Sequence, residues 1–99
     1  MNVIERLIGI FKVNGKSMLP ILAEGDFVIT SRLLSKIRSN DLVVVEHPVY
    51  GRLVKRVLEV SNDNRLWLCG NNTSSLTPEK IGWINAEDIK GKVYFSIKK

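Results

Sequence analysis

The chain has little metal-binding or redox-active chemistry: one cysteine, Cys69, and one histidine, His47, among 99 residues. A single thiol excludes an internal disulfide. One Cys with one His falls short of the four ligands that a structural zinc site usually takes. We therefore expect no metal, no cofactor and a buried thiol at Cys69. The apolar N-terminal segment is far shorter than the ~20 residues of a membrane-spanning helix, and it lacks the long apolar core and cleavage site of a signal peptide.

Length and composition predict a single domain over residues 1–99. The hydrophobic content of 44% and the charged content of 25% are ordinary for a soluble globular fold and exclude general disorder. Fifteen Lys and Arg against ten Asp and Glu give a net charge of +5, which raises nucleic acid or an anionic membrane surface as partners. The basic residues are scattered along the chain, with Lys98-Lys99 as a terminal pair, so a solvated basic face is favoured over a nucleic-acid site.

The first eleven residues form a short amphipathic segment. Its apolar residues recur with helical spacing, at Val3, Ile4, Leu7, Ile8 and Phe11. This spacing predicts a short N-terminal helix over residues 1–11. The alternatives are an ordered first strand, or a contact with a membrane surface or partner.

The rest of the chain predicts β-strands. Short runs of β-favouring residues alternate with turn residues, at positions 27–30, 42–46, 53–60, 66–69 and 91–97. Pro48 ends the second run, because proline cannot continue a central strand. Positions 70–75 form a polar loop. This spacing predicts a mostly-β fold, a compact coiled sheet or partly open barrel.

Residues 14–20 read NGKSMLP and raise the question of what Ser17 does. Asn, Gly, Ser and Pro favour a turn through their backbone preferences. Ser17 is therefore either a turn serine or a nucleophile on a rigid bend, and a nucleophilic serine needs a base. His47 is the only imidazole, with Asp41 as a possible orienting residue. The position of His47 before Pro48, at the end of an apolar strand, favours a role as a strand terminator instead.

A lysine can replace histidine as the base if burial lowers its pKa from about 10.4 by roughly 3 units. In the stretch RLVKRVLEV, strand alternation puts Lys55 on one face with Leu53 and Val57, and Arg56 on the other. An inward Lys55 would be partly desolvated, as a neutral base requires. Periodicity alone, however, favours the alternative that Lys55 and Arg56 are two solvated charges on an edge strand.

Four segments together resemble the sequence boxes of type I signal peptidases and SOS-repressor self-cleavage domains. They are VNGKSMLPILAEGD, NDLVVVEHP, LVKRVLEV, and GNN with the later IGWINAEDIKGKVYF. The resemblance extends from Val13 onward. It implies the coiled sheet of that family and a serine endopeptidase acting through an acyl-enzyme. Ser17 would be the nucleophile and Lys55, 38 positions later, the general base. The implied partner is a protein or peptide substrate with a cleavable leader.

The resemblance also implies roles for the residues around Ser17. Its backbone N–H would help form the oxyanion hole. Gly15 occupies the position at which some relatives add a hydroxyl, so only backbone donors would remain there. Met18 and Pro20 would set the bend, and they are candidate substrate-binding residues.

The loop after residue 70 departs from the family pattern. Ser75 lies near the position of a serine that orients the lysine, with Ser74 or Thr77 as alternatives. Gly-Asn-Asn replaces the usual Gly-Asp-Asn, and Thr-Pro-Glu at 77–79 replaces Asp-Ser-Arg. The acidic–arginine network that orders this loop is therefore expected to be missing, which predicts a less rigid loop.

Further comparison with these families points to a minimal member. We expect no transmembrane anchor and no inserted cap domain, and with 16 residues before Ser17 we expect no upstream DNA-binding domain with a cleavable linker. The chain most resembles the small soluble proteases that trim the leader of nickel-type superoxide dismutase. This implies a cytoplasmic, soluble enzyme, with peripheral membrane contact as an alternative.

Two other functions remain open from the sequence. One is a non-catalytic basic β-barrel that binds nucleic acid, with Tyr50, Trp67, Trp83 and Tyr94 as candidate stacking residues. The other is a degenerate peptidase relative in which the altered loop no longer orders Lys55.

Overall fold

A computed structural model of the protein describes residues 7–32, 36–72 and 75–99. Within these ranges the chain forms one antiparallel sheet of six strands, β1 (Ile8–Lys12), β2 (Phe27–Ser31), β3 (Leu42–His47), β4 (Gly51–Val60), β5 (Leu66–Cys69) and β6 (Ile89–Ile97). Their order in the sheet is β1-β2-β6-β3-β4-β5. A short helix α1 (Pro78–Ile81) and a 3-10 turn (Ala86–Asp88) precede β6. The predicted mostly-β fold is thus confirmed, and the sheet is not closed into a barrel.

The first strand corrects the prediction for the N-terminal segment. Residues Ile8–Lys12 form β1, with Ile10 opposite Ile29 of β2, so the helix prediction is wrong over 8–11. Ile8 and Ile10 also fit a period of two, and pairing with β2 satisfies the backbone of this segment. Residues 1–6 of the predicted helix lie outside the described residues. No helix in the described ranges is long and apolar enough to cross a bilayer.

Two apolar clusters pack on opposite faces of β3. Val43 and Val45 face one cluster, and Val44 faces the other, because side chains alternate along a strand. The first cluster also holds residues of β4, β5, α1 and the bridge at Ile84. The second holds Met18 from the turn that carries Ser17. Each fully buried Val or Leu contributes about 1.5–3 kcal/mol to folding, so the turn is anchored by core packing.

Strand β6 joins the two halves of the sheet. Phe95 lies opposite Ile29 of β2, and Gly91 lies opposite Val44 of β3. A Cβ atom at Gly91 would lie 3.0 Å from the Cβ of Thr30, so glycine permits the close approach of these strands. Through β6, the half with β1 and β2 is fixed against the half with β3, β4 and β5.

The carboxylate of Asp26 ties the turn before β2 to the last residues of the chain. It accepts hydrogen bonds from the backbone N–H of Ala23 (2.9 Å), the backbone N–H of Lys99 (3.1 Å) and the ammonium of Lys98 (3.1 Å). These contacts, with that of Ala23 the largest, lower the pKa of Asp26 from 3.8 to about 2.

We expect Asp26→Asn to destabilise the fold in a pH-dependent way. The folded pKa of about 2 lies below the reference value of 3.8, so ionised Asp26 stabilises the protein fully above about pH 4. This contribution is lost as the pH falls toward 2. Thermal unfolding midpoints of wild type and variant should therefore differ at neutral pH and converge in acid. Glu59→Gln, at an exposed carboxylate of β4, is the control. A difference between the two unfolding midpoints that persists near pH 2 would contradict the stabilising role of the Asp26 carboxylate.

Candidate active site

Ser17 lies on a tight turn between β1 and β2. The N–H of Leu19 donates to the carbonyl of Lys16 (3.2 Å), and Gly15 has a positive φ of 81°, which glycine tolerates best. The peptide bond between Leu19 and Pro20 is cis. Met18 is 2% exposed in the second apolar cluster, while Ser17 faces a surface cleft. The turn thus buries Met18 and presents Ser17 to solvent.

The loop after β5 holds the Ser17 turn by donating hydrogen bonds to the carbonyl groups of that turn. The N–H of Asn71 donates to the carbonyl of Ser17 (2.6 Å), and the hydroxyl of Ser75 donates to the same oxygen (3.0 Å). The side-chain amide of Asn72 donates to the carbonyl of Lys16 (2.7 Å). We call residues 70–72 and Ser75 the clamp loop. Its contacts fix the backbone of the Ser17 turn from a segment more than fifty positions later in the chain.

A second layer of contacts orders the clamp loop itself. The side chain of Asn71 donates to the carbonyl of Leu19 (3.4 Å), and its oxygen accepts a hydrogen bond from the Arg56 guanidinium. Arg56 lies on β4 directly after Lys55. An arginine thus contacts this loop through the amide of Asn71, where the sequence predicted that an acidic–arginine network would be missing.

Lys55 is buried in the sheet. It is 2% exposed and lies opposite Val43, and Leu53 and Val57 of its own strand pack in the first apolar cluster. Burial lowers the pKa of Lys55 from 10.5, opposed by a smaller effect of Cys69. No carboxylate pairs with Lys55 among the residues that the structure describes. The alternative of a solvated charge at this position is wrong for Lys55, because its side chain is 2% exposed.

Ser17 and Lys55 line the same cleft. One side of the cleft has a volume of about 470 Å³ and is also lined by Ser75 and Glu24. The other side is a cavity of about 210 Å³ that Ser17 and Lys55 also line. Across the described ranges no hydrogen bond joins the Ser17 hydroxyl to the Lys55 ammonium. Such contacts often tighten only when substrate binds. The arrangement supplies a hydroxyl and a lysine with a lowered pKa in one open groove.

The backbone donors near Ser17 differ in availability. The N–H of Ser17 has no acceptor in the described part of the chain. It can therefore donate to an oxyanion. The N–H of Gly15 instead donates to the Glu24 carboxylate (3.3 Å). The N–H of Gly15 is thus already engaged, and a role of Gly15 at the oxyanion hole stays a prediction.

The other predicted site residues have mixed outcomes. Ser75 reaches the cleft, but its hydroxyl donates to the Ser17 carbonyl, so its orienting role toward Lys55 stays a prediction. Met18 lines the smaller cavity, and Pro20 is exposed and lines neither side of the cleft. Thr77 caps α1 by accepting from the N–H of Lys80 (3.3 Å). Ser74 lies outside the described residues.

His47 has a structural role at the end of β3. Its Nδ1 accepts from the N–H groups of Val49 (3.0 Å) and Tyr50 (3.1 Å), so Nε2 carries the proton and donates to the carbonyl of Ile81 (2.8 Å). Asp41 lies at the other end of β3 and pairs with Lys92 (3.1 Å). The possible pairing of His47 with Asp41 is therefore wrong.

The packing around Cys69 and the aromatic residues bears on the other functions that the sequence left open. Cys69 is partly exposed, which corrects the expectation of a buried thiol. No group of three His, Cys, Asp or Glu residues that could hold a metal occurs in the described ranges. The candidate stacking aromatics already pack on protein groups: Trp67 lies 5.1 Å from Trp83, and Tyr50 lies 4.8 Å from His47.

The comparisons with known proteins identify the family of the chain. A profile described as Peptidase S24-like matches residues 3–94. The chain belongs to the Peptidase S24-like family. No curated protein matches the chain. The Peptidase S24-like match supports the superfamily of signal peptidases and SOS-repressor self-cleavage domains, and it suggests a serine peptidase at the level of the family.

Sequence reasoning missed several residues that shape the site. Asn71 and Asn72 hold the Ser17 turn, and Arg56 orders Asn71. Glu24 occupies the N–H of Gly15. The two asparagines stood in the GNN motif, but nothing in the motif indicated that their partners are the carbonyls of the Ser17 turn.

Proposed function

We propose that this chain is a serine endopeptidase that uses a Ser17/Lys55 dyad to remove an N-terminal leader from a protein substrate. The observation that carries this proposal is a lysine 2% exposed, with a lowered pKa, in the same cleft as a serine on a fixed turn. Membership of the Peptidase S24-like family supports the reaction class. The resemblance to nickel-type superoxide dismutase maturation proteases makes that precursor the candidate substrate.

The chemistry is acyl transfer. Neutral Lys55 takes the proton of the Ser17 hydroxyl, and the oxygen attacks the peptide carbonyl carbon. The N–H of Ser17 donates to the oxyanion that develops. The Lys55 ammonium then protonates the leaving amine as the peptide bond breaks. Lys55 next deprotonates a water, which hydrolyses the ester and restores the Ser17 hydroxyl. The leader leaves with a carboxylate end.

An open strand edge supports binding of an extended substrate. Residues 51–55 of β4 pair with β3, while β5 pairs with β4 only from Arg56 onward within the described residues. The second edge of 51–55 borders the cleft, which is lined by Arg52, Leu53, Val54 and Lys55. A substrate strand that adds to this edge would bring its backbone past Ser17.

The direct test is cleavage of a purified precursor of nickel-type superoxide dismutase. We expect a product with a single new N-terminus and, after rapid acid quenching, an adduct of the leader mass on the peptide that contains Ser17. Cleavage of other unfolded proteins but not of this precursor would overturn only the substrate. A folded chain that cuts nothing over a wide pH range would overturn the activity.

The same preparation distinguishes the alternatives. Affinity for a single-stranded oligonucleotide that falls steeply with salt would favour a nucleic-acid module. Binding of leader peptides without any cleavage would favour the degenerate relative.

A further inference from the structure

The cleft differs in charge on its two sides. The larger side is bordered by Lys16 and Glu24, a residue of each sign. The smaller cavity is bordered by Lys12 and Arg52, and the residues that line it include no carboxylate. Both cavities contact Ser17 and Lys55, so a substrate across the dyad meets mixed charge on one side and positive charge on the other.

The two cations of the smaller cavity come from different strands. Lys12 ends β1 and is exposed, and no ion pair engages it within the described ranges. Arg52 lies near the start of β4, with its guanidinium 4.7 Å from the centre of the Phe11 ring. It also pairs with Glu46 at 3.3 Å. The ring and the ion pair restrict the Arg52 side chain and so reduce the entropy lost when it binds an anion.

The Glu46 contact does not saturate Arg52. The side chains of Arg52 and Glu46 are 52% and 41% exposed, and such exposed pairs contribute little. The guanidinium carries five N–H donors, of which the contact from Nη2 to Glu46 uses one. A second carboxylate can therefore bind Arg52 from the cavity side, with Lys12 adding a second positive charge.

The floor of the cavity suits the stem of a side chain. Val13 and Met18 are buried apolar residues, and Leu53 and Val54 are half-buried. The volume is about 210 Å³, which holds one side chain of medium size. An apolar floor beneath two cations matches a short acidic side chain rather than a nucleic-acid backbone, which needs a longer basic track.

We propose that this cavity is a specificity subsite that binds an aspartate or glutamate side chain of the substrate, close to the scissile bond. The proposal rests on the peptidase function proposed above and names the substrate class: peptides with an acidic residue on one defined side of the cut. Charge complementarity of this kind discriminates between substrates and raises association rates.

The test is a cleavage-site survey with wild-type protein and a peptide library of defined sequences, analysed by mass spectrometry. Asp and Glu should be enriched at one fixed position near the cut. In matched peptides, exchange of that residue for Asn or Gln should lower kcat/KM by about 3- to 10-fold, mainly through KM, and less at high salt. Lys12→Glu should reverse the preference toward Lys at the same position.

Lys36→Glu is the matched control, because it changes the net charge equally and borders a different cavity. Its preference should equal that of wild type. Cleavage without any acidic preference, or a preference unchanged by Lys12→Glu, overturns the subsite while the peptidase function stands. If no peptide is cut, the proposed peptidase function fails, and the subsite is then tested by binding. The acidic peptides should bind more tightly than the matched amide peptides when both are titrated by fluorescence anisotropy. Equal affinities overturn the subsite.

Discussion

Replacing Lys55 with methionine should abolish peptide cleavage and stabilise the fold at the same time. Methionine keeps an unbranched stem of similar length among the apolar neighbours Leu53 and Val57. It removes the base, and general-base catalysis typically contributes about 10²- to 10⁴-fold to a rate. Ser17→Ala should reduce cleavage at least as much, because it removes the nucleophile. Initial rates with a cleavable peptide measure both effects.

The stability change follows from the pKa of Lys55. Its folded-state pKa lies below 10.5, so burial disfavours the ammonium and the lysine destabilises the fold at low and neutral pH. This penalty shrinks as the pH rises through the lowered folded pKa, and it is gone only above 10.5, once Lys55 is neutral in both the folded and the unfolded state. Lys55→Met should therefore unfold at a higher temperature than wild type at neutral pH, with a gap that narrows toward pH 10.5.

The pH profile separates a catalytic lysine from a structural one. The kcat/KM of wild type should rise with pH through a pKa below 10.5, because only neutral Lys55 accepts the Ser17 proton. The control is Lys90→Met, at an exposed position of β6, which should keep both the rate and the profile. Cleavage by Lys55→Met at the wild-type rate would contradict the dyad.

The second large effect is expected at Gly70, where the clamp loop begins. A Cβ atom there would lie 2.3 Å from the Cβ of Ser75 and 3.0 Å from the carbonyl oxygen of Ser17. Gly70→Ala must therefore push Ser75 away and break its hydrogen bond to Ser17. We expect about 1–3 kcal/mol of destabilisation from overpacking, and a loss of about 100-fold in kcat from displacement of the nucleophile.

A double variant isolates the cause. Gly70→Ala with Ser75→Gly removes the side chain that collides, so it should recover stability relative to Gly70→Ala alone. Ser75→Ala alone removes only the hydroxyl and its hydrogen bond, and we expect a smaller loss of kcat. Urea unfolding and peptide kinetics measure both quantities. Wild-type stability and rate in Gly70→Ala would show that the clamp loop does not position Ser17.

The local alternation of the sequence grouped the side chains of β4 by face, but it favoured a solvated Lys55 and did not predict the nature of β1. In RLVKRVLEV, Lys55 shares a face with two apolar residues, and that face lies in the core. In residues 8–11 the apolar positions fit both the helical and the strand period, and Ile8 and Ile10 are exposed at the sheet edge. There, pairing with β2 decides the structure, and a local pattern cannot report a partner so distant in the chain.

The same limit applies to the hydrogen bonds around Ser17. The motif GNN predicted a polar turn, but the partners of Asn71 and Asn72 are carbonyls more than fifty residues earlier. The contact of Glu24 with Gly15 likewise depends on how the chain folds back between β1 and β2. The resemblance thus indicated Ser17 and Lys55 as the proposed nucleophile and base, whereas the contacts that hold them depend on tertiary structure.

The position of β6 has a consequence for substitutions far from the cleft. Ser17 lies in the half of the sheet with β1 and β2, Lys55 lies in the other half, and β6 pairs with β2 and β3 to join them. No residue of β6, which the structure describes throughout, lines either cavity that Ser17 and Lys55 share. A substitution that weakens the pairing of β6 with β2 or β3 should therefore change the separation of these two side chains without touching the cleft itself.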